Sequence, residues 1–211
     1  MKIFYRFFLL FLLLLLGSLN SDANKIVQII PQPVKVIEHE GNYILPHTIG
    51  IFLKNSQSEI LKSAQEFATK IAITTGYRVS LNENSKSNSS IHLLINSSFN
   101  KEIGNEGYQL SVNKNGIHIS ANKPAGLFYG LQTLLQIMPN EIESKTFIKK
   151  STWTIPYVEI TDYPRFEWRG MLFDVTRHFF TKQEVKDFID NMVEFKVNRL
   201  HYILQTIKAG E

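Results

Sequence analysis

The sequence predicts two structural units in series: an α+β domain, a mostly antiparallel sheet with helices, followed by one βαβ unit with parallel strands. Three observations carry this. Short β-branched runs alternate with helical patterns from about Asn24 to Thr161. A nearly continuous apolar run, Gly170 to Val175, is followed by a capped helical pattern and a second short strand pattern. Hydrophobic residues make up 44% of the chain, with 15 Phe and 8 Tyr, enough for a core.

The chain opens outside this fold. Lys2 and Arg6 precede an unbroken apolar run, Phe7 to Leu16, and Ser21-Asp22-Ala23 places small residues at a cleavage site. The order matches a secretory signal peptide over 1–23. The ten-residue run is too short for the roughly 20 residues that span a bilayer. The mature chain is therefore expected to be exported, to a periplasm or the medium, with no membrane attachment after cleavage.

Strand patterns follow at Ile26 to Ile30, Val34 to Ile37, Tyr43 to Leu45 and Ile49 to Leu53. From Ser58, apolar Ile60, Leu61, Ala64, Phe67, Ala68 and Ile71 recur at three-four spacing, and Gly76 ends that helix. Tyr77 to Leu81 and Ile91 to Ile95 read as strands around a polar loop, Asn82 to Ser90. Tyr108 to Val112 and Gly116 to Ser120 alternate about a turn at Asn113-Lys114-Asn115, a hairpin. Ala125 to Met138 carries Phe128, Leu131, Leu135 and Met138 on one face, and Pro139 stops it.

The second unit begins near Asp162. Gly170 to Val175 reads as a strand buried on both faces. Thr181-Lys182-Gln183-Glu184 is a capping box, and Val185, Phe188, Ile189 and Met192 form the stripe of the helix it opens. Lys196 and Asn198 end that helix, and Arg199 to Leu204 is the second strand.

Composition excludes several chemistries. Without Cys there is no disulfide, thiol nucleophile or zinc-thiolate site. The net charge of +4 is spread thinly, which argues against a nucleic-acid partner. No metal-ligand cluster or Ser-His-Asp arrangement is recognisable, and Gly126-Leu127-Phe128-Tyr129-Gly130 lacks the spacing of a dinucleotide loop, so neither metal nor cofactor is expected. That segment reads as a helix with small residues for close packing.

The chemistry is expected past the first strand of the second unit, where Asp174 is followed by Arg177, His178, Phe179 and Phe180. Parallel α/β folds place ligand-binding groups at strand C-termini. An Arg there offers a planar fork to hydroxyls or carboxylates; its competing role is to brace the loop by pairing with Asp174. His178 reads as structural, and His201 as a hydrogen-bonded core residue.

The run from Asp162-Tyr163-Pro164-Arg165-Phe166 through Trp168-Arg169-Gly170 to Asp174-Val175-Thr176-Arg177-His178-Phe179-Phe180 closely resembles the opening of the catalytic barrel of family-20 glycoside hydrolases, the β-N-acetylhexosaminidases. Ile30-Pro31-Gln32-Pro33, Gly116 to Ala121 and Ala125 to Leu134 are similar to that family's accessory domain. The resemblance implies an accessory domain over 24–161 and the start of a (β/α)8 TIM barrel over 162–204. It implies retaining hydrolysis of terminal N-acetylhexosamine, with the substrate's own 2-acetamido oxygen as nucleophile. An Asp orients that group, and a Glu protonates the leaving oxygen and then activates water. It assigns Arg177 to binding the sugar's hydroxyls, and makes N-acetylhexosamine-containing glycans the partners.

The end of the chain departs from the family. After Leu200-His201 the family continues aromatic-His-Leu-Thr-Asp-Asp-Gln-Gly-Trp-Arg, whereas here Tyr202 leads to Ile203-Leu204-Gln205-Thr206-Ile207-Lys208-Ala209-Gly210-Glu211. A synonymous coding of that pattern, extended by Ile-Glu, becomes this tail, stop codon included, when the first base of its His codon is deleted. The last nine residues are thus expected to be out of frame, with 205–211 as the tail beyond the second strand, from a truncated gene or a sequencing error. Pro164 to Glu211 is 48 residues, against about 250 for a barrel. The Asp-Glu pair is expected beyond residue 211, leaving the chain as written inactive. The competing readings are a non-catalytic carbohydrate-interaction module and another glycosidase sharing the accessory domain; the motif around Arg177 argues against the latter.

Overall fold

The computed structural model describes residues 27–54, 58–82 and 90–204. The expected signal peptide, most of the Asn82 to Ser90 loop and the 205–211 tail lie outside the described residues. No helix among the described residues is long and apolar enough to cross a membrane.

A seven-stranded sheet is built from β1 (Lys35–Ile44), β2 (Thr48–Lys54), β3 (Arg78–Asn82), β4 (Ile91–Ile95), β5 (Tyr108–Asn113), β6 (Gly116–Ala121) and β7 (Thr154–Asp162). Its spatial order is β1-β7-β5-β6-β4-β2-β3. The sheet is mixed rather than mostly antiparallel: β2–β3, β2–β4 and β4–β6 are parallel, while β1–β7, β5–β7 and β5–β6 are antiparallel. The parallel half follows from connectivity, since α1 (Ser58–Thr75) carries the chain back between β2 and β3.

Helices α1 and α2 (Pro124–Ile137) cover one face. Ile60, Ala64, Phe67 and Ile71 of α1 and Leu127, Leu131 and Leu134 of α2 join Ile49, Ile51, Leu93, Leu110, Ile119 and Ile160 in one core. Gly76 ends α1 in a left-handed conformation, φ +71°, its N–H donating to Ala72 O at 3.0 Å. The small residues of α2 serve close packing as expected. A Cβ on Gly126 would meet Gly107 O at 2.2 Å, and one on Gly130 would meet Ile119 Cγ2 at 2.5 Å.

Three strand expectations are corrected. Residues 27–30 form no strand, because side chains take their backbone groups: Val27 N–H donates to Glu38 Oε1 (2.6 Å) and Ile30 N–H to Gln136 Oε1 (2.8 Å). The runs at Val34 to Ile37 and Tyr43 to Leu45 belong to one strand, β1, whose register against β7 shifts between Glu38 and Asn42. And β7, for which the sequence offered no assignment, joins β1 to β5.

The second unit is β8 (Gly170–Asp174), α3 (Lys182–Glu194) and β9 (Arg199–Ile203), with β8 and β9 paired in parallel. The capping box is formed: Thr181 N–H donates to Glu184 Oε2 at 2.7 Å, and Glu184 N–H to Thr181 Oγ1 at 3.3 Å. Strand β8 is not buried on both faces. Phe173 is buried, but Met171 and Leu172 are 44% and 57% exposed, because β9 is the one strand paired with β8 among the described residues. Likewise α3 buries Met192 and leaves Ile189 exposed.

Candidate functional site

The C-terminal end of β8 carries the residues singled out by the sequence. Asp174 Oδ1 accepts the Thr176 N–H at 2.9 Å and the Thr176 hydroxyl at 2.7 Å. These bonds, with a smaller contribution from Arg177, hold the Asp174 carboxyl below the usual carboxylate range. Arg177 Nε lies 3.3 Å from Asp174 Oδ2, so the bracing contact exists. Yet the Arg177 side chain is 90% exposed, and a pair this open to water adds little to stability. The arrangement presents a guanidinium at a strand C-terminus, oriented by a carboxylate that stays ionised. It can donate to neighbouring hydroxyls.

Around it the aromatic residues split into two roles. Phe173 packs between Phe180 (4.7 Å between centroids) and Phe188 of α3 (4.5 Å), seating α3 on β8. Phe179 is exposed. His178 is exposed, its ring 5.0 Å from that of Phe180. His201 is exposed on β9, which corrects the expectation of a core histidine: the two-stranded ladder leaves that side of β9 uncovered. Among the described residues, no group of three or more His, Asp or Glu could hold a metal ion.

At the opposite end of the unit lies a network that the sequence reading missed. Lys196 follows α3 with φ +58° and is 7% exposed. Lys196 N–H donates to Val193 O (2.9 Å) and Val197 N–H to Met192 O (3.0 Å), the two bonds of a Schellman ending whose left-handed position is ordinarily Gly. The Lys196 side chain turns into the accessory domain. Its Nζ donates to Asp162 Oδ2 at 2.7 Å, at the end of β7, and to the Tyr108 hydroxyl at 2.8 Å, on β5. Tyr108 donates its own proton to Asp162 Oδ2 at 3.0 Å and so accepts from Thr133 of α2, at 2.5 Å. Burial and the Asp162 charge push the Tyr108 hydroxyl well above its ordinary pKa, keeping it a donor. Burial pulls the Lys196 ammonium below the ordinary lysine range, and Asp162 opposes that.

Arg169 builds a second layer beside it. Its Nε donates to Lys196 O (2.8 Å), one Nη to Phe166 O (2.8 Å), and the other to the Tyr129 hydroxyl (3.0 Å) while pairing with Glu106 Oε2 at 2.7 Å. Asn198 Oδ1 accepts the Arg169 N–H at 3.1 Å. Gln136 of α2 donates to Glu194 O at the end of α3, 2.9 Å. The sequence signal for all this was slight: a Lys where a helix ending calls for Gly.

Residues 27–163 match glycosyl hydrolase family 20, domain 2, and residues 166–207 match the catalytic domain of the same family. A β-hexosaminidase of Porphyromonas gingivalis is 32% identical over 190 residues, which are 89% of this chain and 24% of that protein. A β-N-acetylhexosaminidase of Cellulomonas fimi is 28% identical over 175 residues, 83% of this chain and 34% of that protein. The solved structure of a Streptomyces plicatus N-acetyl-β-hexosaminidase in complex with Thio-NAglucal superposes with a TM-score of 0.78 at 32% identity. That match covers 86% of this chain and 35% of that one. The chain thus spans between a quarter and about a third of the length of these relatives.

Proposed function

Because the chain belongs to glycosyl hydrolase family 20, we propose that it is the opening part of an exported β-N-acetylhexosaminidase that removes terminal N-acetylhexosamine residues from glycans. The 2-acetamido oxygen of the bound sugar attacks the anomeric carbon as the glycosidic C–O bond breaks; of an Asp-Glu pair from later barrel strands, the Asp orients the acetamido group and the Glu protonates the leaving oxygen, then takes a proton from the water that opens the cyclic intermediate. Within these residues the contribution is to binding: Arg177 donates to hydroxyls of the terminal sugar, and Asp174 aims it. The 211 residues by themselves bind weakly and do not turn over.

The observation that carries this reading is the exposed, carboxylate-braced Arg177 at the C-terminal end of a strand inside the segment that matches the catalytic domain. The test is stereochemical. The chain is continued through a complete barrel in the frame that restores the family pattern after Tyr202. Given a chromogenic N-acetyl-β-glucosaminide, it releases the β-anomer first, as seen by proton NMR. First release of the α-anomer would rule out the substrate-assisted route.

A further inference from the structure

The buried cluster of Lys196, Asp162 and Tyr108 is where the two units of the fold pair opposite charges. Asp162 ends β7, Tyr108 begins the neighbouring β5 opposite it, and Thr133 lies on the helix that covers them. Lys196 alone comes from the barrel unit, out of the turn that delivers the chain from α3 into β9. The Lys196 and Asp162 side chains are 8% and 12% exposed, so each ion depends on the other for compensation.

We propose that this cluster is a latch: the accessory domain holds the base of the first barrel unit through Lys196, and thereby keeps the β8–β9 ladder in register. Lys196 and Asp162 are positioning residues for that ladder, which ends at the Arg177 connection. The backbone around Lys196 supports this. Gly at residue 196 would relax the left-handed turn, yet a long cation stands there and spends its whole length reaching Asp162 and Tyr108. Arg169 grips the same turn by its carbonyl, Lys196 O, while it pairs with Glu106 of the accessory domain, so the turn is held by main chain and side chain at once. Among the described residues β8 and β9 pair with each other and with no accessory strand, so side-chain contacts of Lys196, Arg169 and Gln136 tie the unit to the accessory domain. This docking role is independent of whether the completed enzyme hydrolyses hexosaminides.

Lys196→Gly separates the latch from the turn. If the turn alone matters, this variant is as stable as the parent or more so. If the side chain is the latch, amide-hydrogen exchange in β8 and β9 accelerates by about a hundredfold or more, as expected on stranding a buried partner, while α1, β4 and β6 keep the parent's protection. Asp162→Asn does the same, and Asp162→Asn with Lys196→Gly is no worse than the more damaging single change, since both remove one interaction. Should Asp162→Asn fail to fold, Tyr108→Phe takes its place in the cycle, with a smaller effect. Unchanged exchange in β8 and β9, or acceleration spread evenly over the whole accessory domain, would overturn the latch.

Discussion

Arg177→Ala, in the chain continued through a complete barrel, is expected to lower kcat/KM for an N-acetyl-β-glucosaminide by about two to four orders of magnitude. The guanidinium stands at the strand end that faces a barrel's active site, and its fork can donate to two adjacent hydroxyls. A hydrogen bond to a charged group is worth about 1.5–3 kcal/mol where water is excluded, and two are lost together. Arg177→Lys recovers only part, because a point charge cannot span both hydroxyls. His178→Ala costs far less, its ring lying against Phe180 at the surface. The bracing role predicts the opposite pattern: a lowered Tm from the lost Asp174 contact, with near-normal kcat/KM in the folded enzyme. Both quantities are measured on the same preparation, and a variant that melts early but turns over normally takes Arg177 out of the site.

The 211 residues as written are expected to give no hydrolysis of that substrate above a buffer blank. The expected deficit is chemical. Removing the proton-donating and orienting carboxylates of a glycosidase leaves at most the binding part of catalysis, and the described barrel residues comprise β8, α3 and β9. The carboxylates near Arg177 are otherwise engaged, Asp174 with Thr176 and Glu184 in the helix cap. Turnover that follows the protein through successive purification steps would mean that carboxylates within these residues suffice.

Local patterns made much of the fold legible. The three-four spacing of α1, the box at Thr181 and Glu184 and the Asn113–Gly116 hairpin all depend on contacts a few residues apart. What escaped depends on partners far along the chain. Strand β7 contains Pro156, which demotes a strand reading, but Pro156 pairs with Asn42 at the register shift of β1, where a missing N–H is tolerated. The two halves of β1 looked separate because the irregularity between them carries Gly41 at φ +106°. At the candidate site, the position of Arg177 followed from strand and motif together. The Lys196 cluster did not, since residues 108, 133, 162 and 196 meet only in the folded chain. The expected burial of β8 and His201 failed for a related reason: an apolar run shows that a strand wants neighbours and cannot say which residues supply them.

The most direct test of the proposed function compares two chromogenic glycosides, the N-acetyl-β-glucosaminide and the β-glucoside that carries a hydroxyl in place of the acetamido group. Both are given to the chain continued through a complete barrel, with the 211-residue chain as blank. Cleavage of the first at least about a thousandfold faster than the second is predicted, because on the proposed mechanism the acetamido oxygen is the nucleophile and its loss removes the intramolecular advantage. Equal cleavage of the two, or cleavage of the glucoside alone, would contradict the account.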